Sequence, residues 1–243
     1  MKRKDLQRII GFATGSLFKE IQSISNHAVE ICRSTGGKAL ELTCLKNVQI
    51  PLLWDLNMHA TRHFAHTSIH LPSDLIYCNN DTSTRALGLL HEFCKENRKF
   101  LHLAVIHPDR IVDWEMINDF SEIIPVAIEN MDIRKNKFRS VPEIENILSK
   151  YQNLKLVFDI NHWISNDYSI RTAYEFLDLF ENRIAEIHIS GYHRYHDPLF
   201  QTNQIELIEV ISKVPPAIPI IIESVVSVEE IQKEFNLISK HLH

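Results

Sequence analysis

Eight short apolar runs recur along the chain, at residues 9–13, 39–42, 67–70, 101–106, 125–128, 154–158, 184–187 and 218–222. Most of the gaps between them carry helical spacing. The segments 17–34, 84–97, 112–122, 141–151, 169–180, 204–212 and 228–241 read as helices, and a short one fits within 48–63. A strand buried on both faces reads as continuous apolar sequence. Alternation of such strands with helices implies a parallel sheet. Eight units in 243 residues fit an α/β fold of the closed (β/α)8 kind, the TIM barrel, with eight parallel strands and outer helices. The open doubly wound sheet would carry a GxGxxG phosphate turn, and none is present. No linker or low-complexity tract interrupts the pattern, so residues 1–243 are expected to form one domain.

Composition narrows the function classes. Hydrophobic residues make up 44% and charged residues 23%, the proportions of an ordinary globular protein. No apolar run approaches the roughly 20 residues of a membrane helix. The basic start, Met1 to Asp5, lacks the apolar stretch of a signal peptide. Cys32, Cys44, Cys78 and Cys94 are far apart, as reduced thiols in a cytoplasmic protein would be. The net charge of −5 gives no global attraction to nucleic acid.

The chemistry lies where the apolar runs end. The sixth run, through Val157 and Phe158, stops at Asp159, and His162 follows three residues later. Alone, Asp159 reads first as the cap of a following loop or helix and second as a metal ligand. The same design recurs at His70, His107, Glu129, His188 and Glu223. In a (β/α)8 barrel the strand C-termini share one mouth, where active sites lie. Anions and imidazoles gathered there call for a cation, and a divalent metal is the economical one. Glu41 is in phase with the barrel interior, either hydrogen-bonding His70 or forming a salt bridge. Glu186 shares that phase, with Lys155 as its expected partner. His91, His193, His241 and His243 read as surface residues. Trp54, Trp114 and Trp163 read as packing, with Trp163 close enough to His162 to line the mouth.

These motifs together resemble the xylose-isomerase-like TIM-barrel superfamily of sugar isomerases, ketose 3-epimerases, inosose dehydratases and endonuclease IV. The resemblance rests on Glu129-Asn130, on Asp159 to His162, and on His188 and Glu223, and it spans the chain. By resemblance to the epimerase branch, Glu129, Asp159, His188 and Glu223 hold one divalent ion (Mn, Mg, Co or Zn), and no organic cofactor is expected. His162 and Arg194 would contact substrate oxygens. The expected partner is a small sugar or polyol, sugar phosphates included, with a homodimer allowed and no membrane.

The implied activity is isomerisation or epimerisation by proton transfer through an enediolate, with Glu129 and Glu223 as the proton carriers. A dehydratase of the same superfamily is an alternative. The other is an endonuclease IV-like enzyme for abasic DNA, which adds His70, His107 and His196 as further metal or substrate contacts. The nuclease pattern is broken twice: Ser73 stands where that branch has an aromatic, and Asp197 follows His196 instead of preceding it. A barrel that binds a metabolite without turnover would not need a complete acid–base set.

Overall fold

The computed structural model describes residues 8–194 and 196–242. The basic N-terminal start and His243 lie outside the described residues. Eight parallel strands close on themselves in sequence order: β1 (Ile10–Ala13), β2 (Ala39–Thr43), β3 (His66–His70), β4 (Leu103–Ile106), β5 (Val126–Glu129), β6 (Lys155–Asp159), β7 (Ile184–Ile189) and β8 (Ile220–Ile222). Each falls on or beside one of the eight apolar runs. β8 pairs with β1 through Gly11 and Ile221, which completes the barrel. Gly11 is required there, because a Cβ on it would lie 1.7 Å from the Ala39 carbonyl oxygen.

Helices surround the barrel: α1 (Asn26–Ser34), α2 (Asp81–Glu96), α3 (Trp114–Phe120), α4 (Val141–Lys150), α5 (Ile160–Asp167), α6 (Ile170–Phe180), α7 (Leu199–Thr202), α8 (Ile205–Ile211) and α9 (Ile231–Leu242). The main apolar core lies between strands and helices and includes Phe12, Leu40, Ile69, Phe93, Phe158 and Phe176. Inside the barrel the apolar filling is thin. Leu103, Val105, Ala127 and Val157 form one small cluster, and Ala13, Ala39 and Ile221 another. The remaining interior positions carry the polar residues of the site.

Three local expectations change. The helix read over 17–34 starts only at Asn26, after a 3-10 turn at Thr14–Leu17. Ser25 sets that start, because its extended backbone and its hydroxyl, accepting from the Ala28 N–H, make it the cap. The segment between β2 and β3 is not α-helical. It forms 3-10 helices at Asn47–Asp55 and Met58–His63, the first containing Pro51, which has no N–H for an α-helical bond. α5 follows β6 without a gap, capped by Asp159 itself.

Candidate metal centre

Two residue groups meet at the barrel mouth. One ligand atom each from Glu129, Asp159, His188 and Glu223 lies within 4.8 Å of the others, and so do atoms from His70, His107 and Glu129. Glu129 is common to both. These side chains come from the ends of β3, β5, β6 and β7 and from the residues just after β4 and β8, so strand parallelism alone brings them together. Asn130 fixes the relation of β5 to β6. Its amide donates to the Asp159 carbonyl at 2.9 Å and accepts from the Asp159 N–H at 2.8 Å.

The atoms that face one another lack ordinary partners. Glu129 Oε2, Asp159 Oδ2 and His188 Nδ1 are buried and make no hydrogen bond. Such groups cost on the order of 1–3 kcal/mol each when left unsatisfied, and more when charged. His70 Nε2 and His107 Nε2 stand at ion-pair distance from Glu129 Oε2, 3.5 and 3.3 Å. His70 Nδ1 donates to the Leu71 carbonyl at 2.8 Å, which leaves Nε2 as the nitrogen available to a proton or a cation. A divalent cation fits this donor set of carboxylates and imidazoles.

Without a cation, protons do the neutralising. Burial acts to lower His162, but Asp159 and Glu129 overcome it and raise it to about 10. His70, against the same burial, rises to about 9 beside Glu129 and Glu41. Burial acts to raise Glu129, but the imidazoles of His162, His107 and His188 hold it well below the usual carboxylate range. Glu223 is likewise brought down to about 2 by His188 and His196 against its burial. Asp159 goes the other way: burial, joined by Glu129 and Glu223, keeps it well above its ordinary value.

A cavity of about 480 Å3 opens over the centre, lined among others by His70, His107, Glu129, His162, His196 and Glu223. His162 Nδ1 is held by the Asn130 carbonyl and Glu129 Oε1, both at 3.0 Å, so Nε2 points outward. His196 is buried at φ 50°, with Nδ1 2.9 Å from Ser190 Oγ. Asp159 and His188 lie beneath the lining residues. Arg194 does not line this cavity. It is exposed and borders a neighbouring one with Lys19, Asp197 and Glu230. Asp197 accepts from the Arg194 N–H at 2.6 Å, which explains its place after His196: it closes the turn.

The cations that do line the main cavity are Arg110, Arg134 and Lys135, from the loops after β4 and β5. Lys135 pairs with Asp109 at 2.9 Å, and Arg134 with Asp132. Sequence reasoning missed them; the available signal was the density of basic residues at 134–139 just after Glu129-Asn130. Trp163 is buried against Phe158 and Phe176 and lines no part of the cavity. Glu41 contacts His188 Nε2 at 3.4 Å, and His188 takes the place expected of His70. Glu186 pairs with His66 and His188, not with Lys155; two residues apart on β7, Glu186 and His188 face inward together.

No family model and no curated protein matches the chain. Among solved structures it is similar to D-allulose 3-epimerase from Methylomonas sp., at 12% identity and a TM-score of 0.65 over 97% of this chain and 98% of that one. It is similar to endonuclease IV from Thermus thermophilus, at 14% identity and a TM-score of 0.63 over 89% and 93%. The probable 3-DHS dehydratase of Bacillus anthracis gives 13% identity and a TM-score of 0.65 over 96% and 98%. At these identities the likeness is one of fold. The closed parallel barrel with its mouth-facing centre is of the (β/α)8 class. What the chain shares with the epimerase, the endonuclease and the dehydratase is that barrel fold.

Proposed function

We propose that the chain is a divalent-metal-dependent isomerase or epimerase of a sugar or polyol. The observation that carries this reading is the convergence of Glu129, Asp159, His188 and Glu223, with buried unbonded atoms, beneath a cavity of small-molecule size. A bound divalent ion supplies Lewis acidity to adjacent substrate oxygens and so acidifies the neighbouring C–H. Glu129 and Glu223 both lie near His188 Nδ1, at 3.8 and 3.4 Å. One carboxylate removes the substrate proton and the other returns it. Return to the opposite face of the same carbon gives epimerisation; return to the neighbouring carbon gives isomerisation. His162 Nε2 orients a substrate oxygen. Arg134 and Lys135, on the cavity wall, take the anchoring role that the resemblance assigned to Arg194. They suit an oxygen-rich or anionic substituent such as a phosphate.

A second reading, metal-dependent phosphodiester hydrolysis of abasic DNA, is favoured by the His70–His107–Glu129 group. A second ion there would share Glu129 with the first, and paired ions suit phosphoester cleavage. The test combines metal content of the purified chain with two assays, deuterium incorporation into sugars from heavy water and cleavage of abasic duplex DNA. One ion per chain with exchange into a sugar C–H supports the isomerase; two or three ions with DNA cleavage and no exchange supports the nuclease.

A further inference from the structure

The barrel floor holds a second polar cluster that the reaction does not use. Glu186 is fully buried, and its two oxygens are occupied by different imidazoles. His66 Nε2 donates to Oε2 at 2.6 Å, and His188 Nε2 donates to Oε1 at 3.0 Å. His66 in turn stacks on His102 at 5.3 Å, and His102 Nδ1 accepts from the Thr67 N–H at 3.1 Å. Glu41 Oε2, also fully buried, faces the same His188 Nε2 at 3.4 Å without hydrogen-bond geometry. Two buried carboxylates therefore aim at one ring nitrogen of His188, and His66 locks the nearer of them. The other ring nitrogen, Nδ1, is the one turned toward Glu129 and Glu223.

We propose that Glu186, anchored by His66, is a positioning residue that keeps a proton on His188 Nε2, so that Nδ1 is the ring nitrogen left to a metal at the mouth. An imidazole has two tautomers, and the hydrogen bond made by one nitrogen decides what the other can do. A carboxylate behind a ligating histidine fixes both tautomer and ring plane and makes the ligand more basic. The buried carboxylate thus has a purpose that apolar filling could not serve. The inference rests on the metal reading for its effect on affinity and for the loss of the Nδ1 proton; the proton held on Nε2 is a property of the chain alone.

The experiment is imidazole nitrogen NMR on the full chain, without metal and with zinc, together with zinc affinity by chelator competition. The expected spectrum has an exchange-protected Nε2–H on His188 in both states and no proton on Nδ1 once zinc is bound. Glu186→Met should weaken zinc binding roughly 10–100-fold, the usual loss for an outer carboxylate. Glu186→Gln, whose carbonyl still accepts from Nε2–H, should recover most of it; a purely space-filling role would make Met and Gln alike. A proton on Nδ1 with Nε2 bare overturns the inference, as does zinc affinity unchanged in the Met variant. Zinc found between Glu41, Glu186 and Nε2 overturns it too, since the metal would then occupy the proton's place. If wild type binds no zinc, the metal reading fails, and the metal-free Nε2–H still decides this inference: exchange protection supports it, and a fast-exchanging or absent Nε2–H overturns it. That same wild-type signal decides it if the Met variant does not fold.

Discussion

Asp159 divides its two oxygens between structure and site: Oδ1 accepts the backbone N–H of His162 at 2.9 Å, and Oδ2 lies buried and unbonded, 3.5 Å from His162 Nδ1. The cap and the candidate ligand are one residue. Asparagine caps as well as aspartate, so Asp159→Asn should keep α5 intact. Burial and the neighbouring Glu129 and Glu223 already oppose a charge here. The metal-free Asn variant should therefore melt at or above the wild-type temperature, while its zinc affinity falls. Asp159→Ala loses the cap as well, at about 1 kcal/mol. Thermal melts with and without zinc check this; a metal-free Asn variant that melts well below wild type contradicts it.

The raised imidazoles give opposite pH responses to the metal-free and loaded forms. His70 and His162 titrate near 9 and 10 in the folded, metal-free chain. The unfolded value is about 6.5. A folded pKa above the unfolded one means that stability is full below about 6.5 and is lost as pH rises toward 9 to 10. His107 and His196, both lowered, work the other way near pH 6.5, where only the unfolded rings hold protons, and add nothing above about pH 8. Metal needs the deprotonated ligands, so its stabilisation grows as pH rises. The gap in Tm between loaded and metal-free protein should widen between about pH 6.5 and 9. A constant gap in differential scanning fluorimetry would count against the paired imidazolium–carboxylate picture.

Much of the fold and part of the site were legible in sequence, for physical reasons that differ by element. The strands could be read because barrel strands bury both faces, and their ends because a carboxylate or imidazole stops an apolar run. α5 was legible only through the cap reading of Asp159 and its extent was not, because that cap is also the strand's last residue and no gap marks the helix start. The His66–Glu186 pair joins residues 120 positions apart, and only closure of the barrel brings β3 and β7 face to face across its interior. Loop cations carry no periodicity. Arg194 and Arg134 look alike in sequence, and the turn closed by Asp197 carries Arg194 away from the cavity that Arg134 lines.

The rim and the centre should separate in kinetics. In the proposed function, Arg134→Gln removes a group that binds substrate in ground and transition states alike. It should raise KM severalfold and leave kcat near wild type. Arg194→Gln should do little to either constant, since Arg194 borders another cavity. Steady-state assays on a substrate found by a sugar and sugar-phosphate panel check both. A kcat loss at Arg194 larger than that at Arg134 would return the anchoring role to Arg194.

The central claim, that Glu129 and Glu223 move a substrate proton at a metal-loaded centre, is tested most directly by exchange in heavy water. The loaded chain, incubated with its sugar, should place deuterium on the reacting carbon. Glu129→Gln and Glu223→Gln should each slow that exchange by roughly 10²–10⁴-fold while still binding some metal, because the amide oxygen can coordinate but cannot take a proton. Turnover with no deuterium in the product, or exchange that survives both substitutions, would contradict the account.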